Sequence, residues 1–304
     1  MTEGSVIAGA LILVGLALQV GVGSVAWDTL ARPVNFVALT ALLLVIVLAH
    51  ALRRKVYACR YLSTLRAAVP ALIYVVLLTI VMGLVRQGAR GSWLHDMLSF
   101  WPFVLVYVYL VFILGLTILR RLGQLFRRPS FAVPRSSFVT SRNLSFLLNH
   151  LGLFIALVTA TLGNADLRRL KVITTPHNLE WRAMDTQMRV VELPIAIELK
   201  RFIMETYDNG TPRRFASDIE IVTRSGKDFL ATVDVNHPVE VEGWKIYQFS
   251  YDTALGPESQ TSILELVYDP WLPAVYTGIF MMLSGALSLL FLGSPSPFTL
   301  ISQP

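Results

Sequence analysis

The sequence predicts a membrane α-helical bundle of about six transmembrane helices with an extracytoplasmic all-β domain. Three observations indicate this class. The chain has 304 residues, of which 54% are hydrophobic and only 15% charged, whereas soluble domains carry about a quarter charged residues. Six apolar segments each have the roughly 17 to 25 residues that a membrane span needs. One long polar segment, 164–270, contains the alternating pattern of β-strands.

These segments predict three regions. Residues 1–163 form a membrane domain with five helices, 164–270 form the β-rich domain, and 271–304 hold the last helix and a short cytoplasmic tail. The first apolar segment ends like a signal peptide at Ser24-Val25-Ala26, but neither Lys nor Arg precedes it, so we interpret it as a helix. The spans are predicted near Val6–Trp27, Val34–Leu52, Ala68–Val85, Phe100–Leu119, Leu144–Gly163 and Trp271–Leu292.

Charge sets the predicted topology. The loops Leu52–Ala67 and Arg120–Asn143 carry five and six basic residues and no acidic residue, so the positive-inside rule places both in the cytoplasm. Residues 164–270 then face outward. That segment has 12 Lys and Arg against 17 Asp and Glu, a net charge of −5, while the rest of the chain has a net charge of +11. The basic charge therefore belongs to the membrane part, and we expect no nucleic-acid partner.

The cysteines, carboxylates and histidines of the sequence limit the kinds of site that the protein can form. Cys59 is the only cysteine, which excludes an internal disulfide, a CxxC redox pair and a thiolate-rich metal site. Asp and Glu are almost absent from the spans, which argues against a carboxylate proton relay through the bilayer. The five histidines are the remaining candidates.

His150 is the most informative histidine because it lies inside the fifth predicted span, and an ionisable residue within a bilayer is costly. A neutral imidazole is a natural axial ligand of haem iron. The alternative is an imidazole bonded to a neighbouring helix. His50 ends the second span and has a weaker claim to contact a cofactor. His95 lies in a short external loop, while His177 and His237 belong to the β-rich segment, where we interpret His237 as structural.

The external segment reads as one β-sandwich or open barrel. Residues 195–200 alternate between apolar and polar side chains, as in a half-buried strand. Asp208-Asn209-Gly210 and Arg224–Lys227 are turn signals. Further strands are predicted at Ile219–Val222, Phe229–Val235, Trp244–Tyr251 and Ile263–Tyr268.

Two stretches resemble the ResB/CcsB cytochrome c biogenesis proteins. The run from Asn236 to Asp252, with Gly243-Trp244 followed by Tyr247-Gln248 and Ser250-Tyr251, is similar to the family's N-x-P and G-[WY]-x-[IF]-Y-Q-x-S-Y pattern. Upstream, the Asn209-Gly210 turn and Ser217-Asp218 resemble the same domain. We interpret Trp244, Tyr247 and Tyr251 as packing residues and as markers of the family.

The resemblance implies a subunit of the system II cytochrome c synthetase. Such a subunit helps a CcsA-type, tryptophan-rich membrane partner to translocate reduced haem b and to attach it to the CxxCH motif of apocytochrome c. It implies a non-catalytic or shared-site role in the holocytochrome c synthase, with no assigned catalytic residue. His150 matches the family's haem-ligating transmembrane histidine, so the expected metal contact is through haem iron only, with His50 as a weaker candidate.

The expected location is a bacterial inner membrane, with a thylakoid as the alternative, and with the β domain on the periplasmic or outer face. Two other functions stay open. One is a scaffold that stabilises the partner and never contacts haem. The other is a transporter or receptor with an external sensor domain, which predicts polar or broken helices at mid-membrane.

Overall fold

The computed structural model describes residues 2–88, 92–126 and 137–291. The chain divides into two compact units. The membrane unit combines Met1–Ala165 with Trp271–Pro304, and the β unit is Asp166–Pro270. Among the described residues, six helices are long and apolar enough to cross a membrane, so the protein is an integral membrane protein.

The membrane unit contains seven α-helices in the described ranges. Six are long, and α3 is a short helix inside the first basic loop, which the sequence did not predict. Three of the six basic residues of the predicted loop between α5 and α6, Arg127, Arg128 and Arg135, lie outside the described residues. The helices are α1 (Thr2–Gly21), α2 (Val34–Leu52), α3 (Tyr57–Leu62), α4 (Leu65–Leu84), α5 (Trp101–Phe126), α6 (Ser137–Gly163) and α7 (Leu272–Phe291). The last predicted span ends at Leu292, one residue beyond the described range.

The centre of the membrane unit is α5. Its span is the most buried of the six, while the others expose many Leu, Val and Ile side chains, as expected for surfaces that face lipid. Val106, Ile113 and Leu116 of α5 are fully enclosed. The helix therefore provides the surface on which α1, α2, α4 and α6 pack.

Glycines join α6 and α7 closely. A Cβ atom on Gly152 would lie 2.5 Å from the carbonyl oxygen of Gly278, and a Cβ on Gly278 would lie 2.6 Å from that of Gly152. Only glycine, which has no side chain, allows two helix backbones to approach each other this closely. Gly285 packs in the same way against Asn149. The two helices thus form a fixed pair.

The β unit is one antiparallel sheet of eight strands in the order β5-β4-β3-β2-β1-β8-β7-β6. The strands are β1 (Arg168–Thr174), β2 (Glu180–Met184), β3 (Val190–Thr206), β4 (Pro212–Thr223), β5 (Asp228–Asp234), β6 (Val239–Val241), β7 (Trp244–Tyr251) and β8 (Ser262–Tyr268). The predicted all-β class is confirmed. Strand β7 has the predicted bounds, and β1, β2 and β6 are additional.

The sheet curls into an open barrel. Ser217 of β4 donates a 2.7 Å hydrogen bond to Gln248 of β7, although four strands separate these two in the sheet order. Such a contact requires the sheet to roll round on itself. Alternate residues of the strands fill the interior, among them Ile197, Ile221 and Leu264, which are fully buried. Of the two predicted arrangements, the structure shows the barrel.

Candidate functional site

His150 lies on α6, nearer the Asn143 end than the Asp166 end of its apolar span, and its side chain is half-buried. Its Nδ1 is 2.9 Å from the carbonyl oxygen of Phe146, one helical turn earlier. A carbonyl oxygen can only accept, so Nδ1 carries the proton and the neutral ring keeps a lone pair on Nε2. That is the tautomer that can bind a metal through Nε2. Histidine ligands usually donate their other N–H to such an acceptor.

Phe146 also contacts the ring itself. The two rings stack with their centroids 3.8 Å apart and their planes at 22°. The guanidinium carbon of Arg121, near the end of α5, lies 5.2 Å from the centre of the Phe146 ring, within the range of a cation–π contact. Arg121 also donates to the side-chain oxygen of Asn143. A cation, an aromatic ring and an imidazole therefore lie in succession at this end of α6.

The close pairing of α6 with α7 fixes the backbone around His150. Asn149, the preceding residue, contacts Gly285. Its side-chain Nδ2 donates a hydrogen bond of 3.0 Å to the carbonyl oxygen of Ser145. Ser145 and Ser288 share a hydrogen bond of 2.6 Å between α6 and α7. Rigid elements of this kind hold a ligand in position better than loops do.

His50 has a different environment at the end of α2. Its Nδ1 is 3.1 Å from Nη1 of Arg53. A guanidinium can only donate, so Nδ1 accepts and the proton of the neutral ring lies on Nε2. Nε2 also lies 4.0 Å from the position of a Cβ on Gly123 of α5. This nitrogen therefore lacks a lone pair for iron and faces a neighbouring helix.

Both histidines nevertheless border the same layer of the helix bundle. The Asn35 side chain donates to the Leu162 carbonyl oxygen, so the start of α2 lies beside the end of α6. Farther along, a Cβ on Gly115 of α5 would touch both Ile46 and Phe154. His50 lies four residues after Ile46 on α2, and His150 lies four residues before Phe154 on α6. Both histidines are therefore about one turn from this layer, toward the basic ends of the helices.

The other histidines are dispersed. His95 Nδ1 lies 2.8 Å from the Arg86 carbonyl oxygen in the loop before α5. In the β unit, His177 has a positive φ. His237 lies in the turn after β5, where its ring contacts the Val235 carbonyl oxygen. Within the described residues, no group of three or more His, Cys, Asp or Glu side chains is arranged to hold a metal ion.

The motif in β7 serves the interior of the barrel. The side-chain oxygen of Gln248 accepts a hydrogen bond from Ser217. Its side-chain nitrogen donates one hydrogen bond of 3.0 Å to the Ser262 hydroxyl and one of 3.1 Å to the Ser250 carbonyl oxygen. Trp244 is buried, and Tyr251 stacks on Phe202 with ring centroids 5.0 Å apart. The conspicuous residues of this stretch therefore hold the sheet together.

Residues 139–263 match the ResB-like family. The chain carries a ResB-like region. The resemblance predicted from the β-rich segment is thereby confirmed, and the match also takes in the part of α6 that holds His150. The ResB-like region includes β1 to β7 and the first two residues of β8.

Relatives of this chain include two Prochlorococcus marinus proteins named cytochrome c biogenesis protein CcsB. The protein of Prochlorococcus marinus strain MIT 9313 is 30% identical over 110 residues, and that of strain NATL1A is 24% identical over 108 residues. Each match covers 36% of this chain and 24% of the relative. Among solved structures, cytochrome c haem lyase CcmF aligns at 19% identity and a TM-score of 0.37, over 75% of this chain and 35% of that one.

The sequence predicts His150 as a site residue but does not point to the two residues arranged around it. Phe146 precedes it by one turn in the same helix, a spacing that the sequence does display. Arg121 comes from α5, and its approach to Phe146 depends on helix packing, so no pattern in the sequence identified it.

Proposed function

We propose that this chain acts in cytochrome c biogenesis as a ResB/CcsB-like subunit that holds haem through His150. The observation that carries the proposal is the 2.9 Å contact between His150 Nδ1 and the Phe146 carbonyl oxygen, because a neutral ring that donates there leaves Nε2 as an electron-pair donor. The match of residues 139–263 to the ResB-like family, and the similarity of part of the chain to proteins named for cytochrome c biogenesis, support the same function.

The environment of His150 suits haem as a cargo. Haem combines an apolar macrocycle with two anionic propionates, and it binds proteins through an axial imidazole. Leu147 and Leu151 flank His150 on an apolar helix, while Arg121 places a positive charge beyond Phe146. The apolar helix around His150 would contact the macrocycle, and Arg121 would offer a positive charge to a propionate.

His150 would supply one of the ligands that haem iron takes from proteins. His50 is a poor second ligand because Arg53 donates to its Nδ1, so that in the neutral ring the proton lies on Nε2. We therefore expect the second ligand to come from a CcsA-type membrane partner. Two imidazoles and an apolar enclosure would together set the reduction potential of the iron and shield it from oxidants.

The orientation follows from charge. With the basic loops on the cytoplasmic side of a bacterial inner membrane, the β unit would face the outer side. There the CxxCH motif of an apocytochrome c would meet haem. The β unit would present the apocytochrome, and the partner would share or contain the site of thioether formation. This chain is then a subunit of the synthase rather than a complete enzyme.

An optical spectrum tests the haem assignment. The chain is purified with its CcsA-type partner as wild type, as His150→Ala and as His50→Ala, and bound haem and the reduced bands are measured in each assembled complex. We expect His150→Ala to lose or strongly shift the bands and His50→Ala to retain them. Unchanged bands and haem content in His150→Ala would refute ligation by this residue and favour the scaffold function.

A further inference from the structure

The strand β5 is the outermost strand at one edge of the sheet. It pairs with β4 along its whole length, from Asp228 opposite Val222 to Asp234 opposite Ala216, without an irregularity. Within the described residues, no strand pairs with its other side, and only its last residue, Asp234, forms an isolated bridge there, to His237 in the following turn. The opposite edge of the sheet is different, because β6 has only three residues.

The hydrogen bonds of the hairpin turn show which backbone groups of β5 face this open side. Thr223 N–H donates to the carbonyl oxygen of Lys227, so these two form a hydrogen-bonded pair. Such pairs recur at every second residue of an antiparallel ladder. Phe229, Ala231 and Val233 therefore bond to β4, and the N–H and C=O groups of Leu230 and Thr232 point to the open edge.

The side chains leave this edge unprotected. Natural edge strands are usually short, bulged, or interrupted by Pro or Lys, because an open edge recruits other chains. None of these features occurs in the seven residues of β5. Leu230 is 74% exposed, and Phe229 is 38% exposed although it faces the same side of the sheet as buried Ile221. The strand thus offers free backbone groups together with two accessible apolar side chains.

We propose that β5 is a docking strand to which an extended segment of the client polypeptide adds as a further strand. This inference rests on the proposed function and names the surface that presents the apocytochrome. Backbone pairing suits a client that has not folded, because it requires only an extended chain and gives affinity without a fixed sequence. Leu230 and Phe229 would contact alternate apolar side chains of the client.

Charge favours a basic client. The β unit carries a net charge of −5 over residues 164–270, which attracts a lysine-rich segment over the distance of a Debye length. The turn before β5 contains Arg224 and Lys227, so this attraction comes from the unit as a whole and not from the strand itself. We therefore expect main-chain pairing to determine where the client binds and charge to raise the rate at which it arrives.

The test uses the full chain assembled with its CcsA-type partner in nanodiscs, and a fluorescent synthetic peptide with a CxxCH motif flanked by lysines. Leu230→Pro removes an edge-facing N–H without breaking a bond to β4, and Leu230→Lys places a positive charge on the edge. Val190→Lys is the matched control, since Val190 is 68% exposed at the start of β3 and the added charge is the same. Thermal unfolding of each variant checks that the fold is retained.

We expect both Leu230 variants to bind the peptide about tenfold more weakly and Val190→Lys to bind it as wild type does. Equal weakening in all three, or none in the Leu230 variants, would overturn the docking strand. Self-association of the wild type that disappears in Leu230→Lys would instead assign the edge to a second copy. Haem bands are recorded on the same samples, so a docking failure with intact His150-dependent bands leaves the proposed function standing.

Discussion

Phe146 contacts His150 twice: its ring stacks on the imidazole with centroids 3.8 Å apart, and its carbonyl oxygen lies 2.9 Å from Nδ1. One residue therefore fixes both the tilt of the imidazole and the nitrogen that carries the proton. The backbone contact persists in any side-chain variant, whereas the stacking does not. The two contributions can thus be separated by mutation.

Phe146→Leu is expected to weaken haem binding without abolishing it. The variant keeps the carbonyl acceptor and the ligand tautomer but loses the ring contact, which is worth about 0.5 to 1.5 kcal/mol for an aromatic pair and corresponds to a loss of up to about tenfold. Haem titration of the complex with its partner measures the change. Phe280→Leu is the control, because Phe280 is largely exposed on α7. Equal affinities for Phe146→Leu and wild type would show that stacking contributes nothing.

Gly278→Ala is expected to separate α6 from α7. Its Cβ would lie 2.6 Å from the Gly152 carbonyl oxygen and 2.7 Å from the Ala156 nitrogen, so a backbone must move, at a cost of about 1 to 3 kcal/mol or more. The measurement is thermal stability and folded yield in detergent. Gly9→Ala should be neutral or slightly stabilising, since nothing lies within 4 Å of its added methyl group. Similar stability of the two variants would contradict the close helix pair.

Ser217→Ala is expected to destabilise the β unit by about 1 to 3 kcal/mol. The change removes the hydroxyl that donates to Gln248 and that also bonds Ser262, and it leaves buried polar atoms without partners. Hydrogen exchange of β4 and β7 in the full chain reports the loss. Ser225→Ala, in the exposed hairpin turn, provides a comparison that should exchange as wild type does. A stable Ser217→Ala variant would mean that the network does not hold the barrel closed.

Arg214 makes the stability of the β unit sensitive to acid. Its hydrogen bond to Asp234 holds the pKa of that carboxyl below its usual value of 3.8. A group whose pKa is lower in the folded state stabilises the fold above the unfolded pKa, and this contribution is lost as pH falls through the folded pKa. Stability should therefore decline as pH falls below about 4.

The variant Arg214→Gln should be less stable than wild type at neutral pH and should lose less stability on acidification, because Asp234 regains its ordinary pKa. Hydrogen exchange of β4 and β5 at a series of pH values gives both quantities. Arg213→Gln removes the same charge from the adjacent exposed position and should keep the wild-type pH profile. Parallel pH profiles for Arg214→Gln and wild type would contradict the coupling.

The membrane helices could be predicted because composition alone dictates them: a stretch of apolar residues of this length has few other environments. The residues at which the helices begin and end are harder to predict. The first span was placed at Val6–Trp27, whereas α1 is Thr2–Gly21, since the chain turns at Gly23 with a positive φ. Strand β2 was missed because only Ala183 of its five residues is buried, so the alternation of apolar residues is too weak to see.

The sequence could identify two membrane histidines but could not rank them by geometry. The ranking depends on whether Nδ1 meets an acceptor, as at His150, or a donor, as at His50. That difference arises from side-chain rotamers and from the reach of Arg53. The long-range contact of Ser217 with Gln248, which distinguishes a barrel from a sandwich, was likewise outside the reach of local patterns.

The contact between Gly163 and Trp271 has a consequence for how the protein can vary. A Cβ on Gly163 would lie 2.5 Å from the Cβ of Trp271, so the chain leaves α6 and returns to α7 at nearly the same point. The 105 or so residues in between are topologically an insertion into a helical hairpin. Evolution can therefore lengthen, shorten or exchange the inserted domain while the hairpin and its histidine keep their geometry, and a short linker in its place should leave the hairpin connected.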